Sequence, residues 1–194
     1  MHPGGTRAED PCLQGPCGPR PSAMAVEVNV PRLDPIAASD PRIRSISGKG
    51  TYVLYMELQS DTRIKVGKLG AAHFAPGCYA YVGRAFGPGG LAARLAHHLS
   101  RPVAPHWHVD YLRRRAAVRE IWHARTRPSA EHRWARALSH IRGAEMPIRG
   151  FGSSDCVCPS HLVRLFGLPS KSTFRRQLRR LPGGVPAAIH RLVF

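Results

Sequence analysis

Residues 77–98, GCYAYVGRAFGPGGLAARLAHH, allow few local structures. Tyr79 and Tyr81 stand at i and i+2, so an extended chain turns both phenols to one face. The glycines at 83, 87, 89 and 90 then let the backbone turn sharply without a side-chain clash. Beyond Gly90, Leu91, Leu95 and Leu99 recur every fourth residue, the stripe of a buried helix face. At about 100° per residue, Arg94 and His98 fall on the flank of that stripe, and both are expected to line a groove. Phenols, a guanidinium and an imidazole around one groove suit attack on a phosphodiester.

A chain of 194 residues with 43% hydrophobic content has room for one compact domain plus tails. No run approaches membrane-spanning length, and the N-terminus has no apolar leader segment, so the expectation is a cytoplasmic protein with no membrane partner. Its five cysteines should be reduced there. Charge is unevenly spread. Residues 1–40 hold 3 arginines against 5 acids, whereas 41–194 hold 26 basic and 7 acidic side chains, a formal net charge of +19. Such a surface attracts polyanions, of which nucleic acid is the commonest; a merely solubilising surface is the plain alternative.

Residues 1–40 are rich in Pro, Gly and Ala, contain Cys12 and Cys17, and read as a disordered leader, with Met24 a candidate true start. Residues 41–168 read as the folded domain and 169–194 as a basic C-terminal extension. A strand over GKGTYVLYMEL (48–58), a polar turn at Gln59–Thr62 and a short strand at Ile64–Val66 predict a hairpin. A strand follows at 77–83, then the helix from Gly90. In PHWHVDYLRRR, Pro105 can open a helix on which His106 and Asp110 share a face. Val118–Arg125 predicts a strand. Ser129 is a candidate N-cap for a helix reaching about Gly143, with Trp134, Leu138 and Ile141 as its stripe. Glu131 falls on the inner edge of that helix, where it is either a favourable charge in the first turn or a metal ligand. In KSTFRRQLRRL, Phe174, Leu178 and Leu181 mark a buried face. Arg175, Arg176, Arg179 and Arg180 are left largely on other faces, for phosphate contact or plain solvation.

Gly50-Thr51-Tyr52, Tyr81-Val82-Gly83, Arg94, His98 and Glu131 occur in an order that resembles the GIY-YIG nuclease superfamily. The similarity is closest to its Uri branch, through HWHVDYL at 106–112 and FGSSDCVCPSHL at 151–162, and covers roughly residues 48–166. It implies an α/β chain of the α+β type: a small mixed, mainly antiparallel sheet of three or more strands flanked by helices. It also implies phosphodiester hydrolysis with one divalent cation, Mg²⁺ or Mn²⁺, on nucleic acid, DNA more than RNA. In that reading Tyr52 is the general base, Tyr81 aligns water or substrate, Arg94 stabilises the pentacoordinate phosphate, His98 assists proton movement or binds phosphate, and Glu131 holds the metal. A phenol with an ordinary pKa of about 10 needs help to lose its proton at neutral pH, and nearby cations or metal-linked water would supply it. Arginine keeps its charge and offers a fork matched to phosphate oxygens, and Mg²⁺ needs few protein ligands. Without the resemblance, the tyrosines could be ordinary strand aromatics, and Arg94 could pair with Asp110 or Glu120.

The chain departs from the superfamily pattern in three places. Twenty-eight residues separate Tyr52 from Tyr81, so SDTRIKVGKLGAAHFAPG must form an inserted strand and turn. The late asparagine of many members is missing, the one Asn being Asn29, with Ser154 or Asp155 as stand-ins. Arg84 follows Gly83, where it could contact phosphate. A rival reading starts from Asp155, Cys156, Cys158 and His161, with His106, His108 and Asp110 as further donors: a site for structural Zn²⁺ in a nucleic-acid-binding module without catalysis, against a packed reduced Cys-x-Cys turn.

Overall fold

The computed structural model describes residues 40–100, 104–186 and 188–194. The features assigned to the leader, with Cys12, Cys17, Met24 and Asn29, lie outside the described residues. In chain order come α1 (Pro41–Arg44), β1 (Gly50–Leu58), β2 (Thr62–Lys65), a single 3-10 turn at Gly67–Leu69, β3 (Ala71–Phe74), β4 (Gly77–Ala85), α2 (Gly90–Leu99), α3 (His108–Arg113), β5 (Ala117–Arg125), α4 (Ala130–Ser139), β6 (Leu162–Leu165), α5 (Lys171–Arg179) and β7 (His190–Val193). Among the described residues no helix is long and apolar enough to cross a membrane.

Five strands form one sheet in the order β6-β4-β1-β5-β7, every neighbouring pair antiparallel. β1 is the central strand and is buried along nearly its whole length. That explains its continuous apolar run: helices cover the sheet on both sides. Tyr52, Leu54, Met56 and Leu58 of β1, with Tyr79 and Tyr81 of β4, join the Leu91, Leu95 and Leu99 stripe of α2 and Val109 and Leu112 of α3 on one face. Val53 and Tyr55 of β1, with Trp122 of β5, pack against Trp134 and Leu138 of α4 and Phe174 and Leu178 of α5 on the other. The two tyrosines at i and i+2 do share a face.

The structure corrects four local expectations. β2 pairs with β3 and not with β1, because both edges of β1 are taken by β4 and β5. The resulting small hairpin is the insertion between Tyr52 and Tyr81, and it drops Ile64, Val66 and Phe74 into the first core. Pro105 does not open α3, which starts three residues later; Asp110, its third residue, accepts hydrogen bonds from the backbone N–H groups of His106 and Trp107 at 2.9 Å each. His106 therefore sits before the helix, not on a helical face. Ser129 stands at the N-cap position, as expected, but its side chain makes no capping hydrogen bond, and α4 ends at Ser139, short of Gly143. Residues 169–194 contribute α5 and the edge strand β7 to the helix layer and the sheet.

Candidate active site and the adjoining cysteine and histidine cluster

Tyr52 lies directly across the β1–β4 ladder from Gly83. A Cβ at position 83 would overlap the Tyr52 hydroxyl and Cζ, so glycine there lets the phenol lie flat across the neighbouring strand. Gly50 is needed for a similar reason, since a Cβ there would collide with the Ala124 carbonyl of β5. The two tripeptides thus have a packing cause as well as a place in a motif.

The Tyr52 ring forms the floor of a cleft of about 350 Å³, whose other lining residues include Tyr81, Arg84, Arg94, Trp107, Glu131 and Asp155. Arg94 reaches it from α2 with its guanidinium 4.0 Å from the centre of the Trp107 ring, a cation–π contact that holds the side chain at the cleft. Among the described residues Arg94 forms no ion pair, with Asp110 and Glu120 committed elsewhere. Ser154, His106 and His108 also line the cleft. His108 Nδ1 accepts the Gly152 N–H at 2.9 Å and so ties the 150–161 loop to α3.

His98 does not line the cleft. It is 1% exposed and lies behind Tyr52, because the leucine stripe turns this flank of α2 inward. Its Nε2 is 2.7 Å from the Tyr52 hydroxyl and its Nδ1 is 3.3 Å from Asp110 Oδ1. Burial would raise the Asp110 carboxyl, but hydrogen bonds from His98 and from the Trp107 and His106 backbone hold it well below the usual carboxylate range. Burial also pushes His98 below its ordinary value, against the opposing pull of Asp110. A neutral imidazole facing an ionised carboxylate carries its proton on Nδ1, which leaves Nε2 to accept from Tyr52. Tyr52 and Tyr81 are both pushed up by burial. Burial thus outweighs the help that Arg94 gives to proton loss from Tyr52, and the hydrogen bond to His98 gives that proton a place to go.

Glu131 enters from the other face of the sheet and is 6% exposed. Arg84 bridges two acids, Nε to Glu131 Oε2 at 3.3 Å and Nη2 to Asp155 Oδ2 at 2.6 Å. It is thus engaged by carboxylates and not held out as a free phosphate contact. On α5, Arg175 donates to the Pro186 carbonyl, and just after it Arg180 donates to Gln177, while Arg176 and Arg179 stand exposed on the helix.

The metal-type residues separate into two groups. His106, His108 and Asp110 stay with α3 and the cleft, and Asp155 turns to Arg84. Cys156, Cys158 and His161 come together with His132, which sequence reasoning missed although it directly follows Glu131 on α4. Cys156 Sγ is 3.5 Å from His161 Nε2, and Cys158 Sγ is 3.3 Å from His132 Nδ1. Burial and a hydrogen bond to Cys156 push the Cys158 thiol up to about 11. His161 Nδ1 faces Glu131 Oε1 at 3.4 Å.

No curated protein and no solved structure gives a significant match to the chain. One family model does match, over residues 51–181, from the second residue of β1 to just past α5. It takes in both walls of the cleft and all four members of the cysteine and histidine cluster, and over that span the chain belongs to the family described as the domain of unknown function DUF123.

Proposed function

We propose that this protein is a metal-dependent endonuclease of the GIY-YIG kind, Uri branch, hydrolysing phosphodiester bonds of nucleic acid, DNA in preference to RNA, in the cytoplasm. The observation that carries the reading is convergence. Tyr52 and Tyr81, from two tripeptides on adjacent antiparallel strands, meet Arg94 and Glu131 around one cleft. Residues 41–194 carry only 7 acids against 26 basic side chains, and three of those acids, Asp110, Glu131 and Asp155, stand in or directly behind that cleft. A basic body draws the polyanion in, and acids concentrated at one point are what a hard cation and a proton relay require.

The chemistry follows from the hydrogen bonds. A water beside Tyr52 gives its proton to the phenolic oxygen while the phenolic proton passes to His98 Nε2. The water oxygen bonds to phosphorus, the bond from phosphorus to the leaving oxygen breaks, and that oxygen takes a proton from solvent. Asp110 steadies the imidazolium until its proton returns to Tyr52, whose hydroxyl passes one on to the solvent of the cleft. Arg94 donates to the non-bridging oxygens as charge grows on them. Glu131 and Asp155 are a donor set that fits Mg²⁺ or Mn²⁺, which when bound would offset phosphate charge as a Lewis acid. Arg84 lies between these two carboxylates, and its side chain is 41% exposed and so able to swing out.

The test is cleavage of labelled single-stranded, duplex and branched DNA and RNA with Mg²⁺ or Mn²⁺, comparing wild type with Arg94→Ala and Glu131→Ala. Cutting that both substitutions abolish in folded protein supports the reading. Tight binding with no cutting under any condition favours the second reading, a nucleic-acid-binding module without catalysis, which the occupation of both cleft carboxylates, Glu131 and Asp155, by Arg84 supports.

A further inference from the structure

We propose that His132, Cys156, Cys158 and His161 bind a structural zinc ion that fastens the loop before β6 to α4. The four donor atoms lie within 4.8 Å of one another. In a tetrahedral site with two thiolates and two imidazoles the donors stand about 3.5 Å apart. The Cys156–His161 and Cys158–His132 pairs, at 3.5 and 3.3 Å, are already at that spacing. The remaining separations close by small side-chain rotations. Two thiolates with two imidazoles and no fifth donor make a closed set, the composition of structural zinc and not of a catalytic site.

Two independent features ask for an ion here. His161 is 2% exposed, yet its Nδ1 makes no hydrogen bond, with Glu131 Oε1 3.4 Å away. With Nε2 on a metal, Nδ1 must carry the proton, and it then points that proton at a carboxylate, the outer partner that ligating histidines ordinarily have. The second feature is the connection itself. Residues 140–161 join α4 to β6 with turns and one isolated bridge, between Glu145 and Arg164, and no helix or strand of their own. So long a connection needs a staple, and a metal joining its end to the first turn of α4 supplies one. The ion would also fix Glu131 through His161 at the edge of the cleft.

Full-length wild type, purified with reductant and passed into metal-free buffer, should hold one zinc per chain by elemental analysis. After chelation and loading with cobalt, it should show a thiolate charge-transfer band and the intense visible bands of tetrahedral cobalt. The Cys156→Ser/Cys158→Ser double variant should hold none, whereas Cys78→Ser should hold it normally. His132→Ala keeps both thiols and should weaken zinc by about 100-fold or more in competition with a chromophoric chelator. Glu131→Gln, which leaves all four ligands in place, should weaken it by about 10- to 100-fold. A wild-type chain without zinc, a weak octahedral cobalt spectrum, or undiminished affinity in His132→Ala overturns the proposal. None of these readouts involves nucleic acid. A protein that binds zinc and cuts nothing sinks the nuclease reading alone, and one that cuts but holds no zinc sinks this one alone.

Discussion

On the wall of the cleft built by α2 and α3, Tyr52, His98 and Asp110 form an unbroken run of hydrogen bonds that ends on two backbone amides, at distances from 2.7 to 3.3 Å. On the wall built by α4 and the 150–161 loop the polar groups are poorly matched. Glu131 meets its neighbours at 3.3 and 3.4 Å, and four buried side-chain atoms of these two segments, Arg133 Nε, Trp134 Nε1, Ser153 Oγ and His161 Nδ1, have no hydrogen-bond partner. Buried polar groups are nearly always satisfied, so the contrast carries information. The first wall is complete within the protein, and under the nuclease proposal it is a preorganised path for a proton. Under the two proposals above, the second wall is completed by cations, one held by oxygen at the cleft and one by sulfur and nitrogen behind it.

The sharpest way to break this comparison is to remove one end of the first wall. Tyr52→Phe deletes a hydroxyl and adds nothing to the core, so the fold should survive while cleavage falls by about 10²- to 10⁴-fold, the range for loss of a positioned general base. Thermal unfolding checks the first half and single-turnover cleavage the second. Unchanged cleavage would remove Tyr52 from the chemistry and leave it a strand aromatic packed on Gly83.

Asp110→Asn attacks the same wall from its other end, with a smaller effect on rate and a larger one on stability. The variant turns an ionised acceptor of two backbone N–H groups into an amide, which should cost about 1–3 kcal/mol at neutral pH. The sign of the pH dependence is fixed by the depressed carboxyl. A group held below its unfolded value of about 3.9 stabilises fully above that value and loses its contribution as pH falls towards the folded one. The stability gap between wild type and Asp110→Asn should therefore be widest near neutrality and shrink in acid. A gap that is flat with pH would mean that Asp110 acts by shape and not by charge. His98 faces the same carboxylate, and under the nuclease proposal its burial would set the acid limb of cleavage. Activity needs neutral His98, so wild type should keep its rate below the ordinary imidazole value of about 6.5.

Arg84→Gln sharpens the comparison on the second wall. If Arg84 stands where a cation would otherwise sit, removing its charge should lower the Mg²⁺ concentration needed for half-maximal cleavage by a few-fold, about 1 kcal/mol of released competition for two carboxylates. A higher Mg²⁺ requirement would show instead that Arg84 orients Glu131 and Asp155 for the metal.

How much of this was legible in the sequence follows the same division. Part of the first core could be read from period: the i, i+2 tyrosines of β4 and the leucine stripe of α2 are local patterns that place Tyr81 and Arg94, whereas β1 is a continuous apolar run and Tyr52 was singled out only by the resemblance. Glu131 was legible as a carboxylate out of place beside an apolar stripe. His98 was read one layer too far out, because a helical flank at about 100° per residue does not say which flank the sheet covers. Asp110 was read on the right helix but His106 was not, since the Asp110 carboxylate caps the start of α3 from the third helical position and holds His106 outside. The partner of β2 depended on which edges of β1 were free, a tertiary fact. His132 could not be paired with Cys156, which lies 24 residues further on, until α4 and the loop were folded together. Its only sequence signal was adjacency to Glu131.

The smallest expected effect lies away from both walls. Of the four arginines on or just after α5, Arg175 and Arg180 already have partners in the protein, whereas Arg176 and Arg179 are exposed. If those two touch backbone phosphates, the Arg176→Gln/Arg179→Gln double variant should reduce the slope of log affinity against log salt by about 0.9 per lost contact on duplex DNA, that is by up to about 1.8, without changing cleavage at saturating substrate. Neither arginine enters either core, so no loss of folding should accompany the change. An unaltered slope would make α5 a solvated cover over the second core and confine the nucleic-acid contact to the cleft, where Arg94 alone among the cleft arginines is without an acidic partner among the described residues.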